Sequence, residues 1–149
     1  MGAAACGHNI EILELLVSRG ARLNEGAPLH SLSVIRGGKI FSRDLSGRFK
    51  MAEWLVKHGV DINGVKGVRG FGMVSAGDDR VDCTPLARAC ALMDWEFVEH
   101  LLDLGADPDA ENRMAYSFNP RLFWQPQQHE VNRLEEIVEK RKKKSDGED

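Results

Sequence analysis

Three stretches of the chain carry the same apolar stripe and close on the same residue. Counting back from Gly20, Gly59 and Gly105, the positions eight, seven, four and three residues earlier are Ile12, Leu13, Leu16 and Val17; Met51, Ala52, Leu55 and Val56; and Phe97, Val98, Leu101 and Leu102. All twelve are apolar. In a chain that is 42% apolar, chance would do this roughly 3 times in 100,000, and the spacing is that of one face of an α-helix. The pattern predicts three amphipathic helices, each ended by a glycine that adopts the left-handed conformation without a Cβ penalty. The carboxylates Glu11/Glu14, Glu96/Glu99 and Glu135/Glu136/Glu139 fall on the polar sides of such helices, as solvated faces rather than acid–base pairs.

A second signature precedes two of the three helices: Ala27-Pro28-Leu29-His30 and Thr84-Pro85-Leu86-Ala87, the latter continuing Arg88-Ala89-Cys90. Proline is preorganised for a first helical turn and loses no hydrogen bond there, and Thr84 is placed to cap the helix that follows. Small Ala89 and Cys90 allow close approach of a partner helix.

On these residues the chain resembles the ankyrin-repeat family, whose unit of about 33 residues is a turn and two antiparallel helices with a T-P-L-H opening and a G-A-x-x-N close. The resemblance covers about residues 3 to 112 and is best over 84 to 109. Residues 3 to 24 resemble the second half of a repeat, with Ala4, Ala5, Gly7 and His8 standing near the family's A-A-x-x-G-H. It implies an all-α solenoid of antiparallel helix pairs, with a domain over 1–112 made of repeats near 3–24, 25–63 and 64–109. Ala27 stands where the family has Thr beside His30, and Ala87 where it has His beside Thr84, so neither repeat keeps both members of the supporting pair, a hydrogen bond worth about 1 kcal/mol. His30 is expected to act as a structural partner of the repeat turn.

Spacing adds two long insertions. Pro28 to Gly59 spans 31 residues against 20 from Pro85 to Gly105, which puts about 11 extra residues between helices, near Arg36 to Phe49. Gly59 to Pro85 spans 26, placing a second insertion near Gly64 to Asp82. Residues 113–149 are expected to form an irregular linker, a C-terminal capping helix with Val131, Leu134, Ile137 and Val138 on one face, and a charged tail.

Composition narrows the function. A net charge of -3 exerts no overall pull toward nucleic acid or membrane. Cys6, Cys83 and Cys90 give neither an even framework nor a C-x-x-C pair, so a reducing compartment and small core residues are expected. The chain start lacks the pattern of a signal peptide, and the expected location is cytoplasmic or nuclear. The run Lys140-Arg141-Lys142-Lys143-Lys144 reads equally as a nuclear localisation signal and as a dipole-compensating helix end.

Catalytic chemistry is missing from the pattern. His8, His30, His58, His100 and His129 show no H-x-x-x-H or H-E-x-x-H spacing, so no metal site is expected. Gly37-Gly38-Lys39 and the glycines from Gly64 to Gly72 lack the Ser or Thr that follows a P-loop lysine. These glycines suit flexible loops or the turns of an extended hairpin. No hydroxyl or thiol sits in a nucleophile motif. The reading is a protein that is not an enzyme, takes no cofactor and binds a protein partner, with nucleic acid and membrane not expected. The candidate contacts are Arg36, Lys39, Phe41, Arg43 and Arg48 on the first insertion and Arg69, Phe71 and Met73 on the second, basic and aromatic residues of the kind interfaces enrich. Two alternatives stay open: a nucleic-acid-associated protein using the basic insertion 36–50, and a truncated fragment of a larger ankyrin protein. The mid-repeat start leaves the helix at Ile10 to Val17 without a preceding neighbour, an apolar edge open to self-association.

Overall fold

The computed structural model describes residues 2–33, 46–69, 80–110 and 128–145. The chain divides into two compact units, Met1–Phe118 and Asn119–Asp149. In the first, the described elements are α1 (Gly2–Cys6), α2 (Ile10–Ser18), a 3-10 turn at His30–Leu32, α3 (Ser46–Lys57), strands β1 (Lys66–Arg69) and β2 (Arg80–Cys83), α4 (Pro85–Ala91) and α5 (Trp95–Asp103). The second contains α6 (Gln128–Ser145).

Helices α2, α3 and α5 end in the same way because the same residues stand at their ends. Gly20, Gly59 and Gly105 have φ of 87°, 84° and 91°, a region in which an L side chain is strained. The glycine N–H returns to the carbonyls of Val17, Val56 and Leu102, and the next residue, Ala21, Val60 or Ala106, donates to Leu16, Leu55 or Leu101. This paired closure is the Schellman motif, which satisfies carbonyls the helix leaves open. Val60 and Ala106 are buried beneath it.

The predicted stripes form the core of the second and third modules: Met51, Ala52, Leu55, Phe97, Val98 and Leu101 are all buried. In the first module the stripe splits. Leu13 is fully buried and Leu16 half-buried, but Ile12 is 48% and Val17 37% exposed, at the two edges of the stripe. Thr84 caps α4 as expected, its hydroxyl accepting from Ala87 N–H at 3.2 Å, with Pro85 at the first turn. Asn9 caps α2 in the same way, through Ile12 N–H. His8 and Met93, each twelve residues before a closing glycine, take left-handed φ of 51° and 55° and turn the first helix into the second. In the middle module α3 instead runs through the equivalent Gly47, whose missing Cβ would lie 2.9 Å from the His8 Cβ.

One expectation is refined and one corrected. The fold is mostly helical, consistent with the all-α class, and one small hairpin is inserted in it, β1 and β2 pairing antiparallel, Lys66 opposite Cys83 through Arg69 opposite Arg80. Each strand carries a β-branched valine, Val68 and Val81, a residue type that favours extended backbone. The first insertion is also shorter than expected at its C-terminal end: α3 begins at Ser46, so Arg48, Phe49 and Lys50 are helical.

Helix α6 is described by itself. Ile137 is buried and Leu134 and Val138 half-buried, one stripe of an amphipathic helix. Its glutamates Glu135, Glu136 and Glu139 precede the basic run from Lys140, the order that offsets a helix dipole.

Candidate functional site

The residues that bind one module to the next are set at fixed distances from the closing glycines. Asn24 and Asn63 each stand four residues after a glycine. The Asn63 Oδ1 accepts from Asp107 N–H at 2.9 Å, and the Asn24 Oδ1 from Asp61 N–H at 3.4 Å while its amide donates to Gly59 O at 3.4 Å. Both acceptor positions therefore reach the residue two beyond the next glycine. Asp61 and Asp107 in turn bond Asn63 and Asp109 N–H through Oδ1, at 2.9 Å in each case. A short side chain with an acceptor oxygen is what such turns need.

His30 and Cys83 join the turn of the second module to the base of the ladder. His30 is 3% exposed and its Nε2–H donates to Cys83 O at 2.7 Å. Burial holds its pKa at about 4, against 6.5 ordinarily, with the nearby cations Arg88 and Lys66 pulling the same way and the Cys83 bond opposing. The ring is thus neutral at pH 7, with Nε2 the protonated nitrogen. Burial also pushes the Cys83 thiol up to about 11, so it is an inert core thiol. Cys6 and Cys90 are half-buried, and the Cys6 thiol donates to Ser31 O at 3.0 Å.

Beside this junction lies a groove of about 260 Å³ lined by Asn24, Pro28, His30, Asp61, Gly64 and Lys66 among others. It carries an exposed carboxylate, an exposed ammonium and a carboxamide over an apolar floor that includes Leu29 and Val60. The recurrence of Asn four residues after each of two glycines was its only trace in the sequence. Among the described residues no group of three or more His, Cys, Asp or Glu is placed to hold a metal ion, and no helix is long and apolar enough to cross a membrane.

Of the eight candidate contact residues, the structure describes two, Arg48 and Arg69. Arg36, Lys39, Phe41, Arg43, Phe71 and Met73 lie outside the described residues. Arg69 ends β1, its backbone opposite Arg80. Arg48 is corrected: it is 1% exposed, its guanidinium bonds Asp94 at 2.5 Å and approaches Glu96 at 3.5 Å, and it lies 4.8 Å from the Phe49 ring and 5.3 Å from that of Phe97. A guanidinium enclosed by a carboxylate and two aromatic faces is spent on the interior. The register explains it, for Arg48 and Asp94 both stand eleven residues before their closing glycines and meet where α3 packs on α5. Phe49 lies beside them, 6.3 Å from Phe97 and edge-on to His100 at 4.8 Å. His58 and His100 bond the carbonyls of Trp54 and Phe49, a structural use of both rings.

Recurrent helix closures, joined by asparagine bonds from one turn to the next, define a protein built of repeated helical modules. The ankyrin-repeat family model matches residues 82–113, the third of them, and the chain accordingly carries an ankyrin repeat there. No curated protein matches the chain.

Proposed function

We propose that the chain is a protein-interaction module in which the three helical modules stack as a short ankyrin solenoid and the insertions carry the partner contacts. It is not an enzyme on this reading and takes no cofactor. The observation that carries the proposal is the rooting of the second insertion. The β1–β2 register puts Arg69 opposite Arg80, so the connecting residues, Phe71 and Met73 among them, leave and re-enter the fold at one point. That point is tied to the core through fully buried Cys83 and its bond from His30. Family resemblance supports a protein as the ligand, although a repeat scaffold does not by itself specify one.

A nucleic-acid reading loses ground with Arg48, one of the five basic residues of the first insertion, spent on Asp94. Phosphate binding draws on exposed cations. The experiment is capture from a cell lysate with the intact chain as bait, against Arg69→Ala/Phe71→Ala/Met73→Ala and Lys39→Ala/Phe41→Ala/Arg43→Ala variants. Loss of a specific protein from either variant, with helicity kept, supports the proposal. Retention by both, or recovery of only nuclease-sensitive material that falls steeply with salt, overturns it.

A further inference from the structure

Helix α2 is the most apolar exposed feature of the described residues. Of the five large apolar residues that stand exposed among the described residues, three are on this nine-residue helix: Ile12, Leu15 and Val17. Ile12 and Leu15 share one face, one turn apart, and Val17, two residues beyond Leu15, lies on the other side of the helix. Single exposed apolar residues are ordinary on a protein surface, but neighbours on one face call for a partner. Leu15 is 54% exposed while Leu13 is fully buried, and two residues along an α-helix separates them by about 160° around the axis. The outward face is therefore centred on Leu15 and flanked, one turn either way, by Glu11 and Ile12 and by Ser18 and Arg19, all exposed.

That face is complementary to itself. Its N-terminal end is acidic at Glu11 and its C-terminal end basic at Arg19, with the apolar pair between. Among the described residues neither Glu11 nor Arg19 is engaged in an ion pair, whereas Arg22 further on is turned to Glu25 at 3.7 Å. Two copies of the helix laid antiparallel about a two-fold axis at Leu15 bring residue Glu11 of one against Arg19 of the other, twice over, and stack the two Leu15 side chains with Ile12 beside them. Parallel pairing would set Glu11 against Glu11 and Arg19 against Arg19. Residue-by-residue reciprocity of this kind is the mark of an isologous interface.

We propose that α2 is the contact helix of a two-fold dimer of this chain, with Leu15 on the axis and reciprocal Glu11–Arg19 pairs at its rim. The proposal is independent of partner capture by the insertions. The interface is small, a single short helix from each copy, so the dimer belongs to the weak, reversible class.

Sedimentation equilibrium of the purified full chain, from micromolar to millimolar concentration, tests it. The expected result is a reversible passage from 16.6 kDa to twice that mass. Leu15→Asp abolishes the dimer, and because the residue is exposed, its far-ultraviolet circular dichroism and urea midpoint stay those of the parent. Glu11→Arg and Arg19→Glu alone each weaken the dimer about tenfold, by replacing two attractions with two repulsions. The Glu11→Arg/Arg19→Glu double variant recovers it, since both rim pairs are reversed together. A chain that stays monomeric throughout, a double variant as weak as the single ones, or assemblies that grow beyond two copies would each overturn the proposal.

Discussion

Arg48 and Asp94 form a buried ion pair at 2.5 Å across 46 residues of sequence, from the same position in two successive modules. The pair does more than hold charge. Asp94 begins α5, where its backbone carbonyl accepts from Phe97 and Val98 N–H, yet its side chain caps nothing on its own helix and is turned to α3. The Arg48 Nε is buried without a hydrogen-bond partner, so this cation is desolvated with its donors incompletely satisfied.

Removing one partner therefore costs more than removing both. Arg48→Ala leaves a buried carboxylate and is expected to lose about 3 to 5 kcal/mol. The Arg48→Ala/Asp94→Ala double variant should lose less than the sum of the Arg48→Ala and Asp94→Ala changes. Urea unfolding of the four proteins gives the coupling, and strict additivity would show that the pair does not interact in solution. Arg48→Lys should fail to substitute, because an ammonium lacks the planar fork and the stacking surface.

His30 makes stability depend on pH in a defined direction. Its folded pKa of about 4 lies below the ordinary 6.5, so between these values the unfolded chain binds the extra proton. Its contribution is present in full above pH 6.5 and is lost progressively as pH falls toward 4, by about 3 kcal/mol in all. His30→Gln keeps a donor for Cys83 O but does not titrate. The difference between parent and variant, followed by urea midpoint from pH 7 to 4, should narrow or change sign; a constant difference would place the histidine outside the titration.

Positions four and five residues before a closing glycine separate interior from surface. Leu101→Ala removes a fully buried side chain and is expected to cost about 2 to 5 kcal/mol. Leu15→Ala, on the exposed face of α2, should fall within about 0.5 kcal/mol of the parent at concentrations where the chain is monomeric. Equal costs would mean that α2 is covered in solution.

Gly47 limits what can be cut from the first insertion. A Cβ at this position meets the His8 Cβ at 2.9 Å, backbone-near atoms that cannot swing away, so Gly47→Ala is expected to lose about 1 to 3 kcal/mol through overpacking. A deletion that ends at Asp44, before α3 begins, should keep the melting temperature, whereas one that also takes Ser46 and Gly47 should lower it. Thermal melts followed by circular dichroism distinguish the two.

A reporter fused to residues 129–149 tests the basic run at the end of α6. Accumulation in the nucleus, abolished by Lys142→Ala/Lys143→Ala/Lys144→Ala, is the expected outcome. Even distribution of the unmodified fusion would leave the lysines with the helix dipole alone.

Periodicity and end chemistry were written locally, and there the sequence by itself determined the outcome. The helices closing at Gly20, Gly59 and Gly105, the Thr84 cap and Pro85 in the first turn all depend on residues within one or two turns of each other, where spacing fixes geometry. What lay between modules was decided by tertiary structure alone. Arg48 read as a surface cation because its neighbours are Arg43 and Lys50; only the packing of α3 on α5 brought it to Asp94 and between two aromatic rings. Ile12 and Phe97 hold the same place in matching stripes, yet Phe97 is fully buried and Ile12 48% exposed. A helix records in its sequence which face is apolar, but whether that face is covered depends on what packs against it, and that contact lies far away along the chain.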